Sequence, residues 1–492
     1  MTAEAPGRAD TPDPDPAGRS EPAGTSDPAV APDPADGTDR AGPPDQADRT
    51  DRAGPPDPAG RADRAPSAGE LVTLDIGPVA HGGHCVARWD GRVVFVRHAL
   101  PGERAVVRIT DTSHAGYFRG DAIDILTADP RRVTPPCSHF VPGGCGGCDF
   151  QHADRDLQLE LKAAVVTEQL SRLAGIERTV TVQPLPGNGF RWRTRVRWAL
   201  DEAGRIGPRA ARSHQVVAVS GAEPCEIAAD GLSELVPLID VPPGVRGTAG
   251  ARPTPRGSGR GGKGNGRDRQ QRRAGRRALP EVTLLRTPDG ERMAVWHSTT
   301  APTVTETVAG RRFSVAATGF WQVHPAAASA LSAAVDEALD GIDLLGGTGW
   351  DLYGGVGLFG VLLATRVGSA GRVLTVENDP LATELAAANL NDLPQARAIT
   401  GTVEQLLLSE PAGQLDAVVL DPPRSGAGRA VCMALAGRRP RVIVYVACDP
   451  AALARDTAFL AEHGYRLDTL RAFDCFPQTH HVECVARFLP AD

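Results

Sequence analysis

From residue 313 onward, strand-like and helix-like segments alternate, which limits the chain to an α/β fold with helices packed on both faces of one sheet. Apolar runs of strand length occupy 348–353, 372–377, 416–420, 441–447 and 482–489. Between them, Ala- and Leu-rich stretches such as 380–391 and 450–462 carry helical spacing. A doubly wound sheet is expected over 313–492, and in such sheets a ligand sits beyond the carboxyl ends of the strands.

The residues at those strand ends carry the chemistry. Asp351-Leu-Tyr-Gly-Gly-Val-Gly runs from a strand into Gly354, Gly355 and Gly357 before a helix. Glycines there let backbone approach a ligand, though a tight turn alone needs them too. Glu377 ends the next strand, where an acid can accept hydrogen bonds from both ribose hydroxyls of a nucleoside cofactor. The turn is G-G-x-G, which disfavours NAD. Asp421-Pro422-Pro423-Arg424 follows the fourth strand. Enzymes that methylate exocyclic amines usually place an aromatic where Arg424 stands, so a carbon or oxygen acceptor fits better. Cys448 ends the fifth strand before a helix, where the helix dipole is expected to favour its thiolate. A lone cysteine in such a place is more often packing. Glu483 opens the last strand beside His480 and His481, and a partly desolvated carboxylate there suits a general base.

The other parts of the chain differ in composition. Residues 1–68 are almost wholly Ala, Asp, Pro, Gly, Arg, Ser and Thr, with Asp-Arg-Ala-Gly-Pro-Pro-Asp at 39–45 and again at 51–57. Such a segment has little to bury and reads as a disordered tail. Residues 69–128 hold four or five short strands with Gly/Pro turns and suggest a small oligonucleotide-binding type of barrel. A central α+β region, 129–312, carries an insertion at 244–279 with eleven basic residues against one acid. Arg/Gly-rich loops attract phosphate, and codon-biased drift explains the same composition. The central region also holds Cys137, Cys145 and Cys148, with Cys225 further on; four thiolates suit either zinc or an iron–sulfur cluster. Cys85, Cys432, Cys475 and Cys484 read as packing residues. The formal net charge of −7 argues weakly against nucleic acid, but the basic residues are unevenly placed. No run of 18 apolar residues occurs, and the start lacks a basic stretch followed by an apolar one. A cytoplasmic protein without a transmembrane helix is the expectation.

Taken together, Cys-Gly-Gly-Cys-x-x-Gln-His, Gly319-Phe-Trp-Gln-Val, Asp-Leu-Tyr-x-Gly-Val-Gly, Asp-Pro-Pro-Arg, Ala-Leu-Ala-Arg-Asp and His-Val-Glu resemble the RNA (uracil-5-)-methyltransferase family over about 70–490. The resemblance implies a Rossmann-like methyltransferase domain, a TRAM barrel at the N-terminus and a monomer that acts on tRNA or ribosomal RNA. It implies S-adenosylmethionine contacts at Gln322, Tyr353, Glu377 and Asp421, a nucleophile at Cys448 and a base at Glu483. It also implies a [4Fe–4S] cluster on Cys137, Cys145, Cys148 and Cys225. His324, Gly354, Leu358 and Asp449 depart from residues frequent in the family, and none of these removes a reacting group. Two other readings compete. An iron–sulfur oxidoreductase with a nucleotide cofactor leaves Asp421-Pro-Pro-Arg and Cys448 unexplained, and a non-catalytic RNA-binding protein has no need of Cys448, Glu483 and Glu377 together.

Overall fold

The structure, a computed structural model, describes residues 66–246, 279–297, 300–409 and 414–491. The tail expected at 1–68 lies almost entirely outside the described residues, as does the greater part of the 244–279 insertion. The barrel comprises β1 (Leu71–Val79), β2 (Cys85–Trp89), β3 (Arg92–Arg97), β4 (Arg104–Asp111) and β5 (Tyr117–Thr127), closed in the order β1-β2-β3-β5-β4. Along β1, buried Val72, Leu74 and Ile76 alternate with exposed Leu71, Thr73 and Asp75, the period of a strand with one face inward. Closure brings β5 close to β4: a Cβ at Gly120 would lie 2.5 Å from Cγ1 of Val107.

The central region contributes β6 (Val182–Pro184), β7 (Arg195–Leu200), β8 (Ile206–Gly207), β9 (Glu281–Arg286), β10 (Arg292–Trp296), β11 (Thr303–Val308) and β12 (Arg311–Ala316). Four of these form a sheet ordered β10-β9-β7-β8, and β11 pairs with β12. The boundary expected at 312/313 falls inside β12, because the hairpin continues through it. The helix Arg155–Gln169 starts at Asp154, whose Oδ1 accepts the Leu157 amide at 2.8 Å. Its Leu157, Leu161 and Val165 complete the barrel core, while Val166 joins the core of the large sheet. Lys162 on this helix is fully buried and bonds Oδ1 of Asp474 at 2.5 Å and the Phe476 carbonyl at 3.0 Å. Burial lowers the lysine pKa and the Asp474 charge opposes that effect. Asp474 also pairs through its Oδ2 with Arg155 of the same helix, so the three buried or half-buried charges together lock the helix to the sheet.

The C-terminal sheet has eight strands in the order β15-β14-β13-β16-β17-β19-β18-β6, with β13 (Thr348–Leu352), β14 (Arg372–Glu377), β15 (Ala396–Thr400), β16 (Ala417–Leu420), β17 (Val442–Ala447), β18 (Tyr465–Asp474) and β19 (Glu483–Pro490). Alternate residues face opposite cores. Val418, Leu420, Ile443 and Tyr445 pack on one side with the helices Gly428–Gly437 and Pro450–Glu462. Val419, Val442, Val444 and Val446 pack on the other with Ala327–Ala338 and Leu358–Val367. Helices therefore cover both faces, as the alternation of signals requires. Two strands had no clear sequence signal. β15 lies at the sheet edge with no buried residue, and β18 is buried mainly at its carboxyl end. β6, supplied from the central region, closes the opposite edge.

Candidate active site

The strand order places the candidate residues in one line along one edge of the sheet. β14, β13, β16 and β17 are parallel and end at Glu377, Leu352, Leu420 and Ala447. Tyr353, Asp421 and Cys448 are the next residues on the last three. β19 runs antiparallel to β17 with Ala447 opposite Cys484, so one further step in register sets Cys448 opposite Glu483.

The glycine turn has two distinct requirements. Tyr353, Gly355 and Gly357 take φ values of +59°, +53° and +88°, a left-handed region in which glycine is at ease and Tyr353 is strained. Gly354 is held by packing instead: a Cβ there would come within 2.4 Å of Thr375 Cγ2 and 2.6 Å of Asp351 Oδ2. The turn is fastened to Glu377, whose Oε2 accepts the Gly355 amide at 3.0 Å and whose Oε1 accepts the Asp379 amide at 2.8 Å. Beneath it, Asp351 is wholly buried; its Oδ2 accepts the Thr375 hydroxyl at 3.2 Å and its Oδ1 has no partner. Burial pushes this carboxyl up to about 7.

Cys448 is half-buried, and the structure corrects the expectation for its thiol. Burial, then the Glu483 and Asp421 carboxylates, hold its pKa well above that of an ordinary cysteine, and Arg424 only partly offsets them. Desolvation and two nearby carboxylates disfavour the thiolate, so the resting group is the thiol. The same crowding raises the carboxyls. Asp421 is pushed up to about 7 by burial and by Asp351, and Glu483 is raised well above its usual range by burial and by Asp421. Arg424 reaches this group with its Nη2 3.2 Å from Nε2 of His481. Burial keeps His481 neutral, so that nitrogen can accept the bond. The loop after Pro422-Pro423 is set by Asp456, which is wholly buried. Its Oδ2 accepts the amides of Ala427 at 2.8 Å and Gly428 at 3.1 Å and the Tyr445 hydroxyl at 2.8 Å.

Gln322 lies nearly buried in the loop after β12. That loop is gripped by the central region. Thr194 donates both its amide and its hydroxyl to the Val323 carbonyl at 2.9 Å, and Arg195 Nη1 bonds the carbonyls of Ala316 and Gly319. Phe320, two residues before Gln322, is 75% exposed. His324 is buried against Trp192 and accepts the Ala326 amide, and burial lowers its pKa to about 4. Leu358 begins the helix after the glycine turn and packs against apolar neighbours.

The four central cysteines come together. Cys137 and Cys148 share a small core, Cys225 packs against it, and Cys145 feels the charges of Cys137 and Cys225. Burial and the neighbouring thiols push Cys145 up to about 12, and burial raises Cys148 and Cys225 as well. The Gly147 amide points at the Cys145 sulfur at 3.3 Å. Among the described residues, no group of three or more His, Cys, Asp or Glu is arranged to hold a metal ion. Cys85, Cys432, Cys475 and Cys484 are buried, and Cys85 donates to the Ala99 carbonyl at 3.2 Å.

Sequence reasoning missed Asp149, which follows Cys148. Its Oδ2 accepts the His480 amide at 3.0 Å and pairs with the His480 ring at 2.7 Å, while the Asp149 amide donates to the Gln478 carbonyl at 2.8 Å. The cysteine loop is thereby fastened to the loop that leads into Glu483. Only the position of Asp149 beside the Cys-x-x-Cys pair hinted at this. Among the described residues, no helix is long and apolar enough to cross a membrane.

The TRAM domain family model matches residues 68–123, and the tRNA (uracil-5-)-methyltransferase family model matches 404–489. A protein of Streptomyces avermitilis described as an uncharacterized RNA methyltransferase is 42% identical over 442 residues, covering 86% of this chain and 99% of its own. The 23S rRNA (uracil(1939)-C(5))-methyltransferase of Shewanella woodyi is 30% identical over 449 residues, covering 85% of this chain and 95% of its own. The crystal structure of Pyrococcus abyssi tRNA (uracil-54, C5)-methyltransferase with S-adenosyl-L-homocysteine shares the fold at a TM-score of 0.59 and 22% identity, over 85% of this chain and 100% of that one.

Proposed function

The chain belongs to the RNA (uracil-5-)-methyltransferase family, and on that premise we propose that it methylates C5 of one uridine in RNA through a covalent bond between Cys448 and C6 of the base. S-adenosylmethionine is the methyl donor. The observation that carries the reading is the register that pairs Ala447 with Cys484, which brings Cys448 within the electrostatic reach of Glu483 and Asp421 at the strand ends.

The donor lies along that edge in the proposal. Glu377 takes the ribose hydroxyls, Tyr353 borders the nucleoside, and Gln322 and Asp421 face the amino-acid end and the reacting methyl. C5 of uracil is a weak nucleophile until a thiolate adds to C6. The Cys448 proton leaves to solvent, to which the half-buried thiol is open, and the sulfonium's positive charge favours that ionisation. Sulfur then bonds C6, and the C5–C6 electron pair moves into the ring as an enolate. That pair returns through C5 to the methyl carbon as the methyl–sulfonium bond breaks toward sulfur. Glu483 removes the C5 proton, the C6–sulfur bond breaks, and the double bond is restored. Arg424, held by His481, faces the carbonyl oxygens of the base. The uridine has to leave its stack to reach this edge.

The four central cysteines hold a [4Fe–4S] cluster in this proposal. Their donor chemistry fits: burial and neighbouring thiols disfavour thiolates at Cys145, Cys148 and Cys225 unless a cation lies among them, and a backbone amide already points at the Cys145 sulfur. The cluster would tie Cys225 to the 137–148 loop, and this chain's Asp149 passes that order to His480. The protein is a cytoplasmic monomer in this reading.

Incubation with S-adenosylmethionine and RNA containing 5-fluorouridine tests the chemistry, because fluorine at C5 cannot be removed as a proton. A denaturation-resistant adduct is expected, and its persistence in Cys448→Ala would overturn the assignment. Anaerobic purification should give a brown protein with broad visible absorption; a colourless zinc protein would refute the cluster.

A further inference from the structure

The barrel carries a row of rings that its own core does not use. Val94, Val96, Leu100, Val107, Ile109 and Phe118 fill the interior, whereas Phe95 and Tyr117 alternate outward on β3 and β5. These strands are parallel neighbours with Val93 opposite Tyr117 and Phe95 opposite Arg119, so the outward side chains share one face. On that face the centroids of His84 and Phe95 lie 6.4 Å apart and those of Phe95 and Tyr117 5.2 Å apart, both edge-on. His114, which is exposed, stacks on Tyr117 at 4.4 Å and 17°. Basic groups are interleaved: the Arg119 guanidinium lies 5.1 Å over the Tyr117 ring, and Arg212 Nη2 is 3.2 Å from His84 Nε2.

The row begins at the catalytic edge. Gly83, beside His84, sits so close to the Glu483 loop that a Cβ there would be 2.6 Å from Cβ of His480. His81 in the same turn pairs with Asp449, the neighbour of Cys448. Burial keeps the His84 ring neutral, with a pKa of about 4.

We infer that His84, Phe95, Tyr117 and His114 form a stacking track for the unpaired RNA bases that flank the target uridine, with Arg119 and Arg212 facing the phosphates. The inference rests on the proposed RNA methyltransferase activity. Duplex RNA keeps its base faces inside the helix, so a row of rings engages only bases that are splayed out. The rings direct this barrel at base faces rather than at phosphates alone.

Fluorescence anisotropy with the full-length protein tests the track, using a labelled oligouridylate of about twenty nucleotides and an RNA duplex of equal length. Tyr117→Leu and Phe95→Leu keep apolar bulk but remove the flat face. Each should weaken oligouridylate binding by about five- to a hundredfold while S-adenosylmethionine affinity is unchanged. Arg119→Gln should lower the slope of log affinity against log salt by about one. Tighter binding of the duplex, or oligouridylate binding indifferent to both leucine variants, overturns the track. If leucine disturbs the fold, seen as lost S-adenosylmethionine binding, His114→Ala at its exposed position decides the same question. Ring-dependent binding without any 5-methyluridine product refutes the activity and leaves the track standing; normal methylation with ring-independent binding does the reverse.

Discussion

Nε2 of His81 lies 3.2 Å from Oδ2 of Asp449, so the turn between the first two barrel strands is tied to the residue that follows Cys448. Oδ1 of the same aspartate caps the helix Pro450–Glu462 by accepting the Ala452 amide at 2.8 Å. Burial pushes the Asp449 carboxyl up, but the His81 bond and the helix amides outweigh it and hold the pKa low. The stability this contributes is complete above the ordinary aspartate range and is lost as pH falls through the lowered value. Asp449→Ala loses cap and pair together and should lower stability by about 1–2 kcal/mol. Asp449→Asn keeps the cap and should stay within about 1 kcal/mol of the parent. Urea denaturation of the two variants separates the roles, and equal losses would deny the cap its part.

The raised Cys448 pKa has a direct chemical readout. The thiolate, not the thiol, is alkylated, so iodoacetamide should label Cys448 slowly at pH 8 and faster as pH rises. Glu483→Gln and Asp421→Asn each remove a carboxylate that opposes the thiolate. Both should speed labelling at pH 8, read by mass spectrometry of the peptide containing Cys448. Unchanged or slower labelling would show that burial alone sets the thiol.

Glu483→Gln should also separate the two halves of the reaction. Addition and methyl transfer leave a proton on C5 that glutamine cannot remove, so methylated RNA should remain bonded to Cys448 and migrate with the protein on a denaturing gel. Turnover should fall by about 10²–10⁴. Lost turnover with no trapped adduct would assign Glu483 to an earlier step.

Gly354 is constrained by Thr375 and Asp351 beneath it. Gly354→Ala in the parent forces its Cβ on Thr375 Cγ2 and should destabilise by about 1–3 kcal/mol. Thr375→Ser removes that methyl and should recover part of the loss in the double variant, a coupling visible in a thermal-denaturation cycle. Additive losses would mean that the Asp351 oxygen is the obstacle.

Asp456 sits outside the reacting group yet orders the loop after Asp421-Pro-Pro-Arg. Asp456→Ala leaves the Gly428 amide and the Tyr445 hydroxyl without their acceptor, and the Ala427 amide with only the Tyr445 oxygen at 3.1 Å. The loss should be about 2–4 kcal/mol, with weaker RNA binding from a loosened Arg424. A stable variant with normal kinetics would remove Asp456 from this role.

The sequence by itself determined the layered class and the strand ends that matter, because those signals are local. Apolar period, a glycine turn after Asp351 and Pro-Pro after Asp421 each act within a few residues. The helix 450–462 falls where its spacing and the Asp449-Pro450 start predict it. β15 and β18 escaped notice because an edge strand and a strand buried at one end lack a continuous apolar pattern. Tertiary structure alone decided what depends on groups distant in the chain. Lys162 meets Asp474 across 312 residues, and Asp149 meets His480 across 331. Cys448 shows the division most plainly: its place between strand and helix is written locally, and a helix dipole there favours thiolate. Its protonation is set by burial and by carboxylates brought from Glu483 and Asp421, whose proximity only the folded sheet creates.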